Sequence, residues 1–111
     1  MYGIAITVLK RTANVDLIEA YAGDAVREKR LVEPLCDQLD EGQVFHLSDP
    51  SEMPEGFCPW AWSDLHKEIL AIAGGGDFRP WIAEEGVAIA CCTDAFRPVC
   101  FKIEREEGAS A

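Results

Sequence analysis

Five cysteines are the residues best able to do chemistry in this chain of 111 residues: Cys36, Cys58, Cys91, Cys92 and Cys100. Thiolates act as nucleophiles and as metal ligands, whereas inert thiols pack in a core like small apolar side chains. An odd number of cysteines argues against a closed set of disulfides. We therefore expect free thiols, and the sequence has to indicate which of them face a site.

Cys58 is the first candidate because it stands directly before Pro59, where a helix is predicted to begin. Proline is favoured at the first helical position, which puts Cys58 at or beside the N-cap. The unpaired N–H groups and the positive end of the helix dipole favour negative charge on a sulfur there. A reactive thiol is one interpretation, and packing beneath Trp62 is the structural alternative.

Cys91 and Cys92 are neighbours on a predicted strand, so their side chains point to opposite faces. The strands 87–93 and 97–105 form a predicted hairpin that closes the chain. A turn of even length pairs Cys91 with Cys100, and a three-residue turn pairs Cys92 with Cys100 instead. In either register, one of the two adjacent thiols is free to face a site elsewhere.

A metal site built from Cys36, Cys58, Cys91 and Cys92 is a further possibility, with zinc or iron as the ion. Zinc prefers four nitrogen or sulfur ligands in tetrahedral geometry. No close C-x-x-C spacing is present, so the ligands would have to converge from distant segments.

Asp94 and Arg97 flank the predicted hairpin turn. They are read either as turn residues, with Asp94 bonding its own backbone, or as a carboxylate beside an arginine that clamps an anion. In the second reading Cys58, Asp94 and Arg97 are the candidate catalytic residues. Aromatic side chains near them are either core or the wall of a small-molecule pocket. The candidates for that wall are Trp60, Trp62 and Trp81.

The pattern of elements predicts an α+β fold in the order β-α-β-α-β-β, with helices packed on one face of a mostly antiparallel sheet of about four strands. A strand over 3–10 precedes a helix that Asn14 caps and that runs over 15–30, although Gly23 weakens it. A second strand covers 43–47, and the clearest helix covers 59–72. Residues 1–105 form one predicted domain, followed by a flexible acidic tail over 106–111.

The net charge of −10 disfavours partners that carry phosphate charges, namely nucleic acids and anionic membranes. The sequence contains no apolar run of about 18 residues that could span a membrane. The basic residues of the N-terminus follow its apolar stretch, which is the wrong order for a secretory signal. A cytoplasmic location, where thiols stay reduced, is therefore expected.

Four segments together resemble a family of small, uncharacterised bacterial proteins of about this length: EGQVF, PEGFCPWAWSDL, GGGDFRPW and IACCTDAFRPVCFKIER. The most specific motifs of that family are FCxWAW and ACCTDGxRPVxFKxER. The resemblance implies a shared fold and a set of four cysteines, Cys36, Cys58, Cys91 and Cys92, but no activity. The chain departs from the pattern at Ala95 and Asp77, where the family has glycine and often asparagine.

Three functions follow as hypotheses. The first is a cysteine-centred site that binds a metal ion or a small molecule. The second is a small enzyme of the isomerase or hydrolase type, in which Cys58 or Asp94 reacts and Arg97 clamps an anion. The third is a non-catalytic module that forms a homo-oligomer.

Overall fold

The structure, a computed structural model, describes residues 1–106 and places four strands in one antiparallel sheet. The elements in chain order are β1 (Ile4–Arg11), α1 (Val15–Tyr21), α2 (Asp24–Val32), β2 (Val44–Leu47), α3 (Pro59–Ala73), β3 (Val87–Cys91) and β4 (Val99–Arg105). The order across the sheet is β2-β1-β4-β3. The predicted α+β fold is confirmed.

The core lies between α3 and one face of the sheet. Alternate residues of the central strands are buried there, as the two-residue period of a strand requires, and they include Ile4 and Ile6 of β1 with Phe101 of β4. The helix α3 turns Leu65, Ile69 and Ile72 onto this face, and each of these side chains is fully buried. This packing fixes where α3 begins, and therefore fixes the position of Cys58.

The hairpin adopts the first of the two predicted registers, in which Cys91 lies opposite Cys100. Residues of β3 with even numbers face the core, since Ala88 is buried and Ala90 packs against the core. Cys92 follows the same alternation and also packs against the core. Cys91 therefore lies on the opposite face of the sheet.

The single helix predicted over residues 15–30 is divided in two by the backbone at Ala22 and Gly23, which is a correction to the prediction. Ala22 is extended, with φ −69° and ψ 145°, and Gly23 is the N-cap of α2. Glycine is a poor helix former because it loses the most backbone entropy, so the helix breaks there. Asn14 does precede α1, but its side chain donates to the carbonyl of Ala95 at 2.7 Å, and among the described residues it makes no capping bond.

Only part of the predicted tail over 106–111 falls among the described residues. The backbone N–H of Glu106 donates to Gly3 at 3.0 Å, and its Oε1 lies 2.7 Å from Nδ1 of His46. Residues 107–111 lie outside the described part. Over residues 1–106, no helix combines the length and the apolar character needed to cross a membrane.

Candidate functional site

Three of the five cysteines line one pocket with a volume of about 220 Å³. It lies where the N-terminus of α3, the segment after α2 and the hairpin turn meet. We call it the thiol pocket, and its lining residues are Cys36, Gln38, Cys58, Pro59, Trp60, Ala61, Cys92, Asp94 and Arg97. The catalytic candidates Cys58, Asp94 and Arg97 are thus brought together, along with two of the other predicted metal ligands.

Cys58 is the N-cap residue of α3, as the sequence predicts, with φ −76° and ψ 122°. Within residues 1–106 its side chain makes no capping hydrogen bond. The preceding residue, Phe57, is buried and anchors this position. Its ring meets the edge of Phe45 at a centroid distance of 4.9 Å and lies 5.7 Å from the ring of Phe101. The core therefore holds Cys58 in place while its thiol is left for the pocket.

Cys92 is held where the two strands of the hairpin separate. Its backbone N–H donates to the carbonyl of Val99 at 3.1 Å, and the N–H of Val99 donates to Sγ of Cys92 at 3.3 Å. The hydrogen bond donated to its sulfur fixes the orientation of the Cys92 side chain. Of the two adjacent cysteines, Cys92 is therefore the one that faces the site.

Cys36 closes the third side of the pocket and is the most buried of the five cysteines. Its carbonyl accepts a hydrogen bond from Nη1 of Arg11 at 2.9 Å. This bond ties the segment after α2 to the end of β1. A segment without regular structure is thereby kept against the start of α3.

Cys91 is separated from the other predicted metal ligands because adjacent strand residues diverge. Its thiol donates to the carbonyl of Cys92 at 3.2 Å. Desolvation of the thiol, together with the neighbouring Cys100, raises the pKa of Cys91 to about 11. Among residues 1–106, no three or more His, Cys, Asp or Glu side chains lie close enough together to hold a metal ion.

Asp94 and Arg97 combine the two roles that the sequence leaves open. Oδ1 of Asp94 accepts from the backbone N–H groups of Phe96 and Arg97 at 3.0 and 3.3 Å, which is turn chemistry. Its Oδ2 lies 3.4 Å from Nε of Arg97, whose Nη1 also donates to Asp37 at 3.3 Å. Each oxygen of Asp94 already has a partner, and the charge of Arg97 is shared between two carboxylates.

Asp37 is a part of the site that the sequence does not reveal, because its partners lie on other segments. A hydrogen bond from the amide of Gln38, followed by one from Arg97, lowers the pKa of Asp37 to about 2. Arg30 lies 3.6 Å away and adds to this effect. Asp37 thus joins α2 and the hairpin turn at the rim of the pocket.

We predict that Asp37→Asn lowers the free energy of unfolding at pH 7. The pKa of Asp37 in the folded chain is lowered from 3.8 to about 2. The ionised carboxylate therefore adds to the free energy of unfolding above about pH 4, and this contribution disappears as the pH falls towards about 2. Urea titrations of wild type and variant should therefore converge between about pH 4 and pH 2. Glu28→Gln removes an equal charge from an exposed position of α2 as a control. A difference between wild type and Asp37→Asn that stays constant with pH would contradict this account.

A chain of hydrogen bonds links α3 to the loop that carries Cys92. Nε1 of Trp60 donates to Oγ1 of Thr93 at 2.7 Å, and that hydroxyl donates to Oδ2 of Asp64 at 2.9 Å. The same carboxylate oxygen accepts from the backbone N–H of Thr93 at 2.8 Å. A carboxylate one turn inside a helix gives no sign of the loop that it will meet.

Thr93→Val should remove two of these hydrogen bonds and release the ring of Trp60. We expect a loss of about 1–2 kcal/mol in the free energy of unfolding, because two hydrogen bonds are lost, one of them to a charged acceptor, at a site exposed to solvent. Thr93→Ser keeps the hydroxyl and should retain most of the stability. Chemical denaturation followed by tryptophan fluorescence gives the free energy of unfolding of both variants. Equal losses in the two would show that the Thr93 hydroxyl does not stabilise the fold.

The three tryptophans predicted to line a pocket are placed differently from one another. Trp60 lines the thiol pocket and is 59% exposed. Trp62 lies half-buried against the core, with its ring 5.0 Å from that of His66. Trp81 is 88% exposed and borders a separate pocket beside Phe78 and Ile89. The structure therefore brings only Trp60 of the three to the thiol pocket.

Comparison with models of protein families, with curated proteins and with solved structures gave no match. The resemblance to a family of small bacterial proteins stays a prediction.

Proposed function

We propose that this chain is a cytoplasmic protein that binds a small molecule in the thiol pocket. The observation that carries the proposal is the meeting of Cys36, Cys58 and Cys92 on the wall of one pocket. These residues come from three separate segments, and their convergence is not needed to complete the sheet.

The size and chemistry of the pocket indicate its ligand. A volume of about 220 Å³ lies just below the range of roughly 300–1,000 Å³ that is typical of small-molecule sites, so the ligand is small. Thiols are soft and polarisable, which suits a ligand with an electrophilic or redox-active group. Trp60 and Arg97 add an aromatic surface and a fixed charge.

A bound metal ion, zinc or iron, is the other form of this proposal. Cys36, Cys58 and Cys92 supply suitable ligand types, but they do not form a metal-binding cluster in the described part of the chain. They would have to approach one another on binding. Elemental analysis of protein purified without chelators or added metal tests whether the pocket holds a metal ion. About one zinc or iron ion per chain would show that the ligand is a metal ion and not a small molecule.

The enzyme hypothesis has one specific observation in its favour, which is a thiol in the pocket that the helix does not use as a cap. Against it, Asp94 and Arg97 are already engaged with each other and with the turn. We therefore rank binding before catalysis. If Cys58 is a nucleophile, it acts without Asp94 as its base.

Capture of small disulfide fragments tests the binding proposal. The protein is equilibrated with a panel of aromatic disulfides and a limiting amount of reductant, and adducts are measured by intact mass. We expect a single adduct per chain at Cys58 or Cys92, because only a thiol beside a pocket gains non-covalent contacts with the fragment. Adducts spread equally over Cys91 and the pocket thiols would overturn the proposal.

A further inference from the structure

A second pocket, with a volume of about 430 Å³, lies beside the thiol pocket between α2 and the hairpin turn. Trp60, Asp94 and Arg97 line both pockets, so the two share one wall. We call the second one the basic pocket. Its lining comes from α2, the start of α3 and the hairpin turn, which are distant from one another in the chain.

Positive charge is concentrated in the basic pocket although the chain carries a net charge of −10. Lys29 and Arg30 of α2 line it together with Arg97 of the hairpin turn. Asp94 in the wall and Asp37 on the rim neutralise part of this charge, and these five side chains together keep a net charge of +1. A cationic pocket on an acidic protein attracts small anions selectively, since the remaining surface repels them.

The three cations differ in what they already bind. Arg97 contacts both carboxylates, and Arg30 lies 3.6 Å from Asp37. The atom of Arg30 that faces Asp37 is Nη1, which is buried and, among the described residues, is too far from its partner for a hydrogen bond. Lys29 is exposed, and within residues 1–106 it forms no ion pair. Lys29 is therefore the cation free to bind an anionic group, and Arg30, which lines the same pocket, adds positive charge beside it.

Aromatic and apolar side chains form the remaining wall. Trp60 and the half-buried Phe96 approach from α3 and from the turn, and Val26 approaches from α2. Ala25, Val26, Lys29 and Arg30 belong to one face of α2, since residues three and four apart are neighbours on a helix. The pocket thus combines a ring-binding surface with positive charge, as sites for small organic ligands commonly do.

We propose that the basic pocket binds a small planar acid, whose ring lies against Trp60 and Phe96 and whose anionic group contacts Lys29 beside Arg30. The inference goes beyond the proposed function, because it concerns a separate pocket that shares only Trp60, Asp94 and Arg97 with the thiol pocket. The arginine that the sequence assigned as an anion clamp contributes mainly by holding Asp37 and Asp94. Lys29, which the sequence gave no reason to select, is the cation most available to the ligand.

Isothermal titration calorimetry of the full chain with four probes tests this inference. The probes are 2-naphthyl phosphate, 2-naphthoate, uncharged 2-naphthol and inorganic phosphate. We expect the two charged naphthyl probes to bind at least about tenfold more tightly than 2-naphthol, since a charge-assisted contact is lost in the latter. Lys29→Gln should weaken both by about fivefold, and Lys67→Gln, which removes an exposed lysine of α3 paired with Glu68, should not.

The titrations test the anionic contact and the aromatic wall separately. Equal affinity of Lys29→Gln and wild type, or of 2-naphthol and 2-naphthoate, overturns it. Binding of inorganic phosphate as tight as that of 2-naphthyl phosphate overturns the role of the aromatic wall. The Cys58→Ser variant should bind the naphthyl acids as wild type does. Fragment capture without naphthyl binding therefore refutes this inference alone, and naphthyl binding without capture refutes the proposed function alone.

Discussion

Phe101→Ala should lower the free energy of unfolding by about 3–5 kcal/mol, as is usual when a buried aromatic side chain is truncated. Phe101 is fully buried on the central strand β4 and packs 5.7 Å from the ring of Phe57. Its removal leaves a cavity between the sheet and α3 that the surrounding residues cannot fill completely. For a domain with a total stability of about 5–15 kcal/mol, this loss is a large share.

The control for this experiment is Ile89→Ala on the open face of the sheet, where the side chain is 47% exposed. It should cost about 1 kcal/mol or less, because little apolar surface is returned to water. Urea denaturation of both variants gives the comparison. A loss below about 1 kcal/mol for Phe101→Ala would contradict the described core.

Since Phe57 directly precedes Cys58, a milder variant, Phe101→Leu, should also loosen the thiol pocket and reduce fragment capture.

Cys58→Ser should reduce capture of disulfide fragments by more than about tenfold, because the residue at the start of α3 supplies the thiol nearest to unpaired backbone N–H groups. Serine keeps the size of the side chain and is a favoured N-cap residue, so the helix should not be destabilised. The variant therefore separates the chemistry of the thiol from its packing.

The matched control is Cys91→Ser, which removes a thiol from the opposite face of the sheet. It should leave capture unchanged, as Cys91 does not line the pocket. Cys92→Ser should have an intermediate effect, since its sulfur accepts a hydrogen bond from Val99. Loss of capture in Cys91→Ser with retention in Cys58→Ser would reverse the assignment of the site.

Local patterns predicted the elements that matter most for the pocket. Pro59 and the apolar spacing after it indicated the helix α3, and strand alternation showed that Cys91 and Cys92 diverge. The register of the hairpin stayed open, because turn length is set by the bonds of Asp94 to Phe96 and Arg97. Once that turn forms, Cys91 pairs with Cys100 and Cys92 is left for the pocket.

The features that the sequence could not predict depend on contacts between distant segments. The carboxylate of Asp37 meets an arginine 60 residues away in the chain, and that of Asp64 meets a threonine 29 residues away. Such pairs leave no periodic signal. The break at Gly23 was visible as a weak helix position, but its consequence, a separate α2 whose basic face lines a pocket, appears only in three dimensions.

The rate of alkylation by iodoacetamide at each cysteine tests most directly whether the thiol pocket is the functional site. The rates are measured at pH 7 in the native chain, with tandem mass spectrometry to separate Cys91 from Cys92. Desolvation and the neighbouring Cys100 raise the pKa of Cys91 to about 11, so Cys91 should be in the unreactive thiol form at this pH. We predict that Cys58 reacts at least about tenfold faster than Cys91 and faster than the same thiol in the unfolded chain. A rate at Cys58 no higher than that of the same thiol in the unfolded chain, or no higher than that of Cys91, would contradict this assignment of the site.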